Sequence, residues 1–396
     1  MKTFHQSPTD PDFVQNPYPF YEAARRSGPF FRWQDYDLTC TGNAAATAAI
    51  FRDRRFGREC PPELATPIPP HLAAFYAVEA HSMLELEPPR HTRLRGLVLR
   101  AFTSRRITAL APEIGALSHQ LIDTFPAGEV DLLAEFAQKL PVIIIARLLG
   151  VPEAMAPDLL KWSNAMVGMY MANRADPEEN RAREDRAIVA TEAFTAFLRA
   201  YVEDRRARPA DDLITHLIAA EEHGEKLTTD ELITTCILLL NAGHEATVHT
   251  IGNGVKAVLE TGTQAALLAD PELATEEILR FDPALHMFTR WTYEPVEVMG
   301  HTFQRGERVG LLLAAANRDP GPWEDPARFD PTRPVKVNST FGGGLHFCVG
   351  APLARLELQI ALPILFQRLP GLRLAATPEY ADVYHFHGLN RLDVSA

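Results

Sequence analysis

Residues Phe341 to Gly350 read FGGGLHFCVG and hold the most chemically suggestive spacing in the chain. Three successive glycines, Gly342, Gly343 and Gly344, permit backbone angles and close approaches that a side chain forbids, and Phe341 gives the loop an apolar lid. Cys348 follows at the mouth of a helix expected from Ala351 onward. There, unsatisfied amide N–H groups and the positive end of the helix dipole favour a thiolate, the form of cysteine that binds metal. Cys40, Cys60 and Cys236 lack such a setting and read as structural residues. No CxxC pair is present, so neither a disulfide framework nor a structural zinc site is suggested.

A second group of candidates lies in Asn241 to Thr247, in the middle of a long apolar periodicity. Thr228 and Glu231 form a capping box, and the pattern then runs to about Leu259 before Gly262, which predicts a helix of roughly 45 Å. Gly243 costs such a helix about 1 kcal/mol relative to alanine, and Glu245 among apolar neighbours costs more unless solvated or paired. Two penalties in one turn suggest a place where something approaches the backbone. The alternative is a tolerated glycine beside an exposed glutamate. His91 and Arg95, four apart on a helical pattern, share a face that suits either an anionic group or plain solvent. Glu277 and Arg280, three apart, make an ordinary helical ion pair on spacing alone.

The elements that must carry these residues are mostly helical. Short strands are expected near Phe30 to Trp33 and Leu38 to Thr41, and the prolines from Pro61 to Pro70 exclude regular helix. From Pro89 to about Leu259 the pattern is helical, with breaks that include residues 173–177. Short strand-like runs follow at Glu294 to Met299 and Arg308 to Leu313, then the helix after Cys348, then irregular chain. The expectation is one mixed domain over residues 1–396, mainly α with small β-sheets. Of the 396 residues, 46% are apolar, and 39 Lys plus Arg against 51 Asp plus Glu give a net charge of −12. That balance argues against wholesale binding to nucleic acid or an anionic membrane. No apolar run is long enough to cross a bilayer, so a soluble cytoplasmic protein is expected.

FGGGLHFCVG, followed by APLAR, closely resembles the haem-ligand signature of the cytochrome P450 family. Further resemblances follow in order along the chain: HTRLR from His91, AGHEAT from Ala242, EILR from Glu277, NRDP from Asn317 and DPARFDP from Asp325. The resemblance implies the P450 fold, with the long central helix over a haem b group whose iron is held by Cys348. It assigns His91, Arg95, Arg290 and His346 to the haem propionates, with Phe341 and Gly350 also at the cofactor. It makes Glu277, Arg280 and Arg328 structural residues behind the haem. The implied reaction is monooxygenation by O2, either hydroxylation or dealkylation. Electrons would come from NAD(P)H through a ferredoxin or flavodoxin and its reductase, since the chain shows neither a reductase domain nor a membrane anchor.

One departure stands out against that pattern. The family commonly places a threonine after the acid of the central helix, and here Glu245 is followed by Ala246. Thr247 is one residue on, turned by about 100° in a regular helix, so only a local π-bulge would bring it round. The distal machinery is therefore read as Gly243, Glu245, Ala246 and Thr247, with proton delivery left open among water, a substrate hydroxyl and such a bulge. By the family's layout the substrate pocket draws on Phe75, Met169, Asn241, Leu285, Met287, Phe288 and Phe386, which implies a small apolar or aromatic substrate. His286 and His387 are either partners for a polar handle or structural histidines. Competing functions are a peroxide-driven or oxidative-coupling haem-thiolate enzyme and, from another class, a haem-binding sensor without turnover.

Overall fold

Phe31 and Trp33 are buried on either side of half-buried Arg32, the period of two that makes Phe31–Trp33 a strand. It pairs antiparallel with Leu38–Thr41, as the sequence suggests. In the computed structural model, which describes residues 1–171, 177–222 and 224–395, these strands belong to a six-stranded sheet. Its order is Lys2–Phe4, Phe31–Trp33, Leu38–Thr41, Arg308–Leu312, Met287–Thr292 and Phe56–Gly57. Arg308–Leu312 runs parallel to Leu38–Thr41 and antiparallel to Met287–Thr292, so Gly310 lies opposite both Cys40 and Thr289.

The chain divides into two compact units. The first comprises Met1–Leu64, Gly115–Ala137 and Ala246–Ala396, and the second Ala65–Ile114 and Gln138–Glu245. The first holds the larger sheets, while the two-stranded pairing of Glu221–Glu222 with Glu225–Lys226 belongs to the second. One of its cores gathers Phe13, Tyr21, Trp33, Leu38, Cys40, Met287, Leu312 and Tyr384. Edge-on ring contacts, such as Phe13 to Trp33 at 5.7 Å, hold the aromatic members. The second unit is built from helices that include Arg90–Ala101, Lys139–Leu149, Ala156–Val167 and the 31-residue Pro177–Ala207. Leu94, Leu97, Ile144, Leu149, Phe194 and Leu198 are among its buried residues. The break expected at residues 173–177 lies almost wholly outside the described residues.

The central helix spans Thr229–Thr261. Its capping box is present: Thr228 N–H donates to Glu231 Oε2 at 2.9 Å, and Glu231 N–H donates to Thr228 Oγ1 at 3.2 Å. Gly262, at φ +64°, ends it. The helix after the cysteine loop is Ala351–Arg368. The tail is less irregular than expected. Arg373–Leu374 and Glu129–Asp131 flank Asp393–Ser395 in a three-stranded sheet, and Glu379–Tyr380 pairs with Leu389–Arg391. The architecture is thus mainly helical with small sheets, the α+β class expected. Among the described residues, no helix is long and apolar enough to cross a membrane.

Candidate active site

The glycine run is required by what it packs against. Gly344 has φ +64°, and a Cβ there would stand 1.8 Å from the carbonyl oxygen of Phe51; a Cβ on Gly343 would press on the Phe51 ring at 3.0 Å. Phe51, at the end of helix Ala44–Arg52, is therefore the wall of the cysteine loop. No sequence signal marks it, because the contact is known only once the loop is placed. Cys348 N–H donates to the Phe341 carbonyl at 3.0 Å, closing the loop. Arg355, one turn into the following helix, lies 4.6 Å over the Phe341 ring and pairs with Glu276. Cys348 Sγ is 3.8 Å from where a Gly350 Cβ would stand, so the sulfur rests at the helix mouth.

The four cysteines differ sharply in setting. Cys40 and Cys236 are buried and Cys348 is exposed. Burial pushes the Cys40 and Cys236 thiols up to about 12 and also raises that of half-buried Cys60. Only Cys348 combines exposure with a helix N-terminus.

Strand Met287–Thr292 brings Phe288 and Arg290 to the same side as Phe51. The Arg290 guanidinium, buried, lies 5.0 Å over the Phe51 ring and 5.9 Å over Phe288, and donates to the Thr289 carbonyl at 2.9 Å. Gly342 approaches Phe288, and His346 sits half-buried in the turn Gly344–His346. Met287 corrects the sequence reading. Strand alternation turns it away from Phe288 and into the core beside Cys40 and Tyr21, so it is not a pocket residue. Leu285 and Phe386, both half-buried, face each other in an isolated antiparallel bridge. His286 and His387 are buried beside Asp282, which makes them structural and not partners for a ligand in the pocket.

The central helix is α-helical along its whole length, so no π-bulge brings Thr247 round to the position of Ala246. A threonine does engage this turn, one not anticipated: Thr250 Oγ1 donates to the Ala246 carbonyl at 2.7 Å. The i, i+4 spacing carried that signal. Glu245 is half-buried, Thr247 buried, and a Cβ on Gly243 would meet nothing within 4 Å.

In the second unit, His91 is buried and Arg95 half-buried on helix Arg90–Ala101, on one face as expected. Phe75 is buried on helix Ala73–Glu79, and Met169 is half-buried in the turn Gly168–Met171. Asn241 is buried with its amide nitrogen 3.9 Å from the Met166 sulfur, and its carbonyl oxygen has no hydrogen-bond partner among the described residues.

Glu277 and Arg280 form a bidentate pair, both contacts at 2.7 Å and both residues buried. Arg280 also donates to the carbonyls of Asn317, Pro326 and Arg328. The third residue of the cluster, however, is Arg333, whose guanidinium lies 3.3 Å from Glu277. Arg328, expected in that role, turns its side chain outward to Asp325 and Asp330 and offers the cluster only its carbonyl.

A family model described as cytochrome P450 matches residues 272–370. Cytochrome P450 107B1 of Saccharopolyspora erythraea is 43% identical over 75% of this chain and 72% of its own length. Cytochrome P450 monooxygenase PikC of Streptomyces venezuelae is 37% identical over 93% of this chain and 87% of its own. The solved structure of P450BioI in complex with an acyl carrier protein ligated to hexadec-9Z-enoic acid superposes with a TM-score of 0.89 at 33% identity, covering 97% of this chain and 99% of that one. Similarity this extensive, in sequence and in fold alike, means that the chain belongs to the cytochrome P450 family and is one of its monooxygenases.

Proposed function

We propose that Cys348 would hold the iron of a haem b group as its thiolate, and that residues 1–396 form one catalytic domain that oxygenates a small apolar or aromatic molecule. Electrons would pass from NAD(P)H through a reductase and a ferredoxin or flavodoxin. The observation that carries this reading is the setting of Cys348: exposed, at a helix mouth, on a loop whose glycines are dictated by Phe51, while Cys40 and Cys236 are buried. The rest of the donor set fits the same group. By the family's pattern Arg290 and His346 of the first unit, and His91 and Arg95 of the second, would supply positive or hydrogen-bonding side chains for its two carboxylates, and a Cβ on Gly243 would meet nothing within 4 Å.

Bound there, haem would supply activation of O2 and transfer of one oxygen atom to the substrate. Cys348 would hold the iron, and Phe341 and Gly350 shape the surroundings of its sulfur. Glu245, half-buried in the central helix, carries protons inward. Ala246 has no hydroxyl to fix the water that receives them, Thr247 points elsewhere, and the Thr250 hydroxyl is engaged by the Ala246 carbonyl. Proton delivery at this turn therefore depends on water or on a hydroxyl of the substrate. In the first unit Leu285, Phe288 and Phe386 would provide apolar walls; in the second, Phe75 and Met169 would do the same by the family's layout, and the Asn241 carbonyl oxygen is a buried acceptor for a polar handle.

Ala246 also favours a second reading, in which hydrogen peroxide replaces O2 and the electron chain. Turnover with isotopically labelled O2, ferredoxin, reductase and NAD(P)H, set against turnover with unlabelled peroxide, separates the two. The proposal expects the label in the product under the electron supply. Product formed with peroxide alone would establish the second reading.

A further inference from the structure

Asp282, His286 and His387 meet inside the first unit, each at most 5% exposed. Asp282 Oδ1 lies 3.1 Å from His387 Nδ1 and 3.6 Å from His286 Nε2, and one ligand atom from each residue falls within 4.8 Å of the others. An ion held tetrahedrally at about 2.1 Å from nitrogen and oxygen ligands has ligand-to-ligand edges of about 3.4 Å. The two measured edges stand on either side of that length.

The groups around the three residues orient them as ligands. Tyr21 Oη is 3.0 Å from His286 Nδ1, so that nitrogen is engaged on the far side of the ring and Nε2 faces the carboxylate. Nε2 has no hydrogen-bond partner among the described residues, and 3.6 Å is too long for an N–H···O bond to Asp282. With Nδ1 donating to Tyr21 Oη, the lone pair of Nε2 faces a carboxylate oxygen across a gap that a cation would fill. Tyr18 and Tyr380 each donate to the Asp282 carboxylate at 2.6 Å and fix its plane. Asn253 donates to the carbonyls of Asp282 and His387 at 3.1 and 2.8 Å, fixing the backbone under both ligands.

We propose that Asp282, His286 and His387 form a structural site for a divalent d-block cation, zinc foremost, distinct from the Cys348 centre. Two imidazoles and one carboxylate suit zinc better than calcium or magnesium, which take oxygen ligands. His387 coordinates through Nδ1 and carries its proton on Nε2, and a water completes the set. The ion ties the end of helix Pro271–Phe281 to helix Tyr18–Arg26, through the Tyr18 and Tyr21 hydroxyls, and to the tail segment that carries Phe386.

The test uses haem-loaded protein from zinc-supplemented growth, washed with chelator, gel-filtered and analysed for metals. One zinc per chain is expected in the wild type. Background levels are expected in His286→Gln and His387→Gln, with their Soret spectra unchanged as proof of folding. An anomalous difference peak at the zinc edge should lie among the three side chains in wild-type crystals. Should the glutamine variants fail to fold, Tyr21→Phe, which touches His286 from outside the ligand set, is expected to weaken zinc retention about tenfold or more. A wild type without zinc after both supplemented growth and direct incubation overturns the site. So does zinc retained equally in the variants, or an anomalous peak only elsewhere.

Discussion

Glu277 carries a charge at 2% exposure, where its stability depends on the two guanidinium groups and the Asp330 N–H that surround it. Replacing it by glutamine leaves Arg280 buried without its counter-ion, a loss of about 3–5 kcal/mol for such pairs. Arg328→Ala, at a side chain 65% exposed, should stay within about 0.5 kcal/mol of wild type. Urea unfolding of the haem-loaded proteins measures both. Equal effects would mean that Arg328, not Arg333, completes the cluster. The Glu277–Arg280 spacing was legible because residues three apart on a helix must share a face. The third partner was not, since nothing in DPARFDP or the residues after it says which of two arginines turns inward. Met287 and Phe288 show the same limit: both are large and apolar, and only the strand's pleat sends one to the core and the other toward the cysteine loop.

At the scale of elements, the two glycine positions make opposite predictions. Gly344→Ala combines φ +64° with a Cβ 1.8 Å from the Phe51 oxygen. It should lower stability by more than about 1–3 kcal/mol and reduce haem content on purification, read by the ratio of Soret to protein absorbance. Gly243→Ala meets open space and gains helix propensity, so it should stabilise the protein by up to about 1 kcal/mol while lowering turnover. Turnover unchanged in Gly243→Ala would show the glycine to be merely tolerated. The central helix, its capping box and the helix after Cys348 were readable because their signals are local. The strands of the tail were not, since Arg373–Leu374 and Asp393–Ser395 are two and three residues long and draw their order from each other and from distant Glu129–Asp131. The absence of a π-bulge at Ala246 was likewise beyond the sequence, in which a bulge, water and a substrate hydroxyl all remained open as ways to complete the relay.

For the molecule as a whole, a net charge of −12 makes the arginines of Arg90–Ala101 and Ser104–Ala109 a local exception. The structure narrows that patch. Arg93, paired with Glu225 and Glu231, and Arg106, paired with Asp211, are half-buried, whereas Arg100 and Arg105 are exposed, and on exposure these two are the candidates for meeting an acidic ferredoxin. Arg100→Gln with Arg105→Gln should slow reduction several-fold at low ionic strength, with the difference lost at high salt. Identical stopped-flow rates at low salt would reject this docking surface. The central claim is the thiolate itself, and the ferrous carbon monoxide spectrum reads it directly. Wild-type protein is predicted to show the strongly red-shifted Soret band of cysteinate ligation, and Cys348→Ser to lose it, while Cys60→Ser keeps it. Retention of that band in Cys348→Ser would contradict the account.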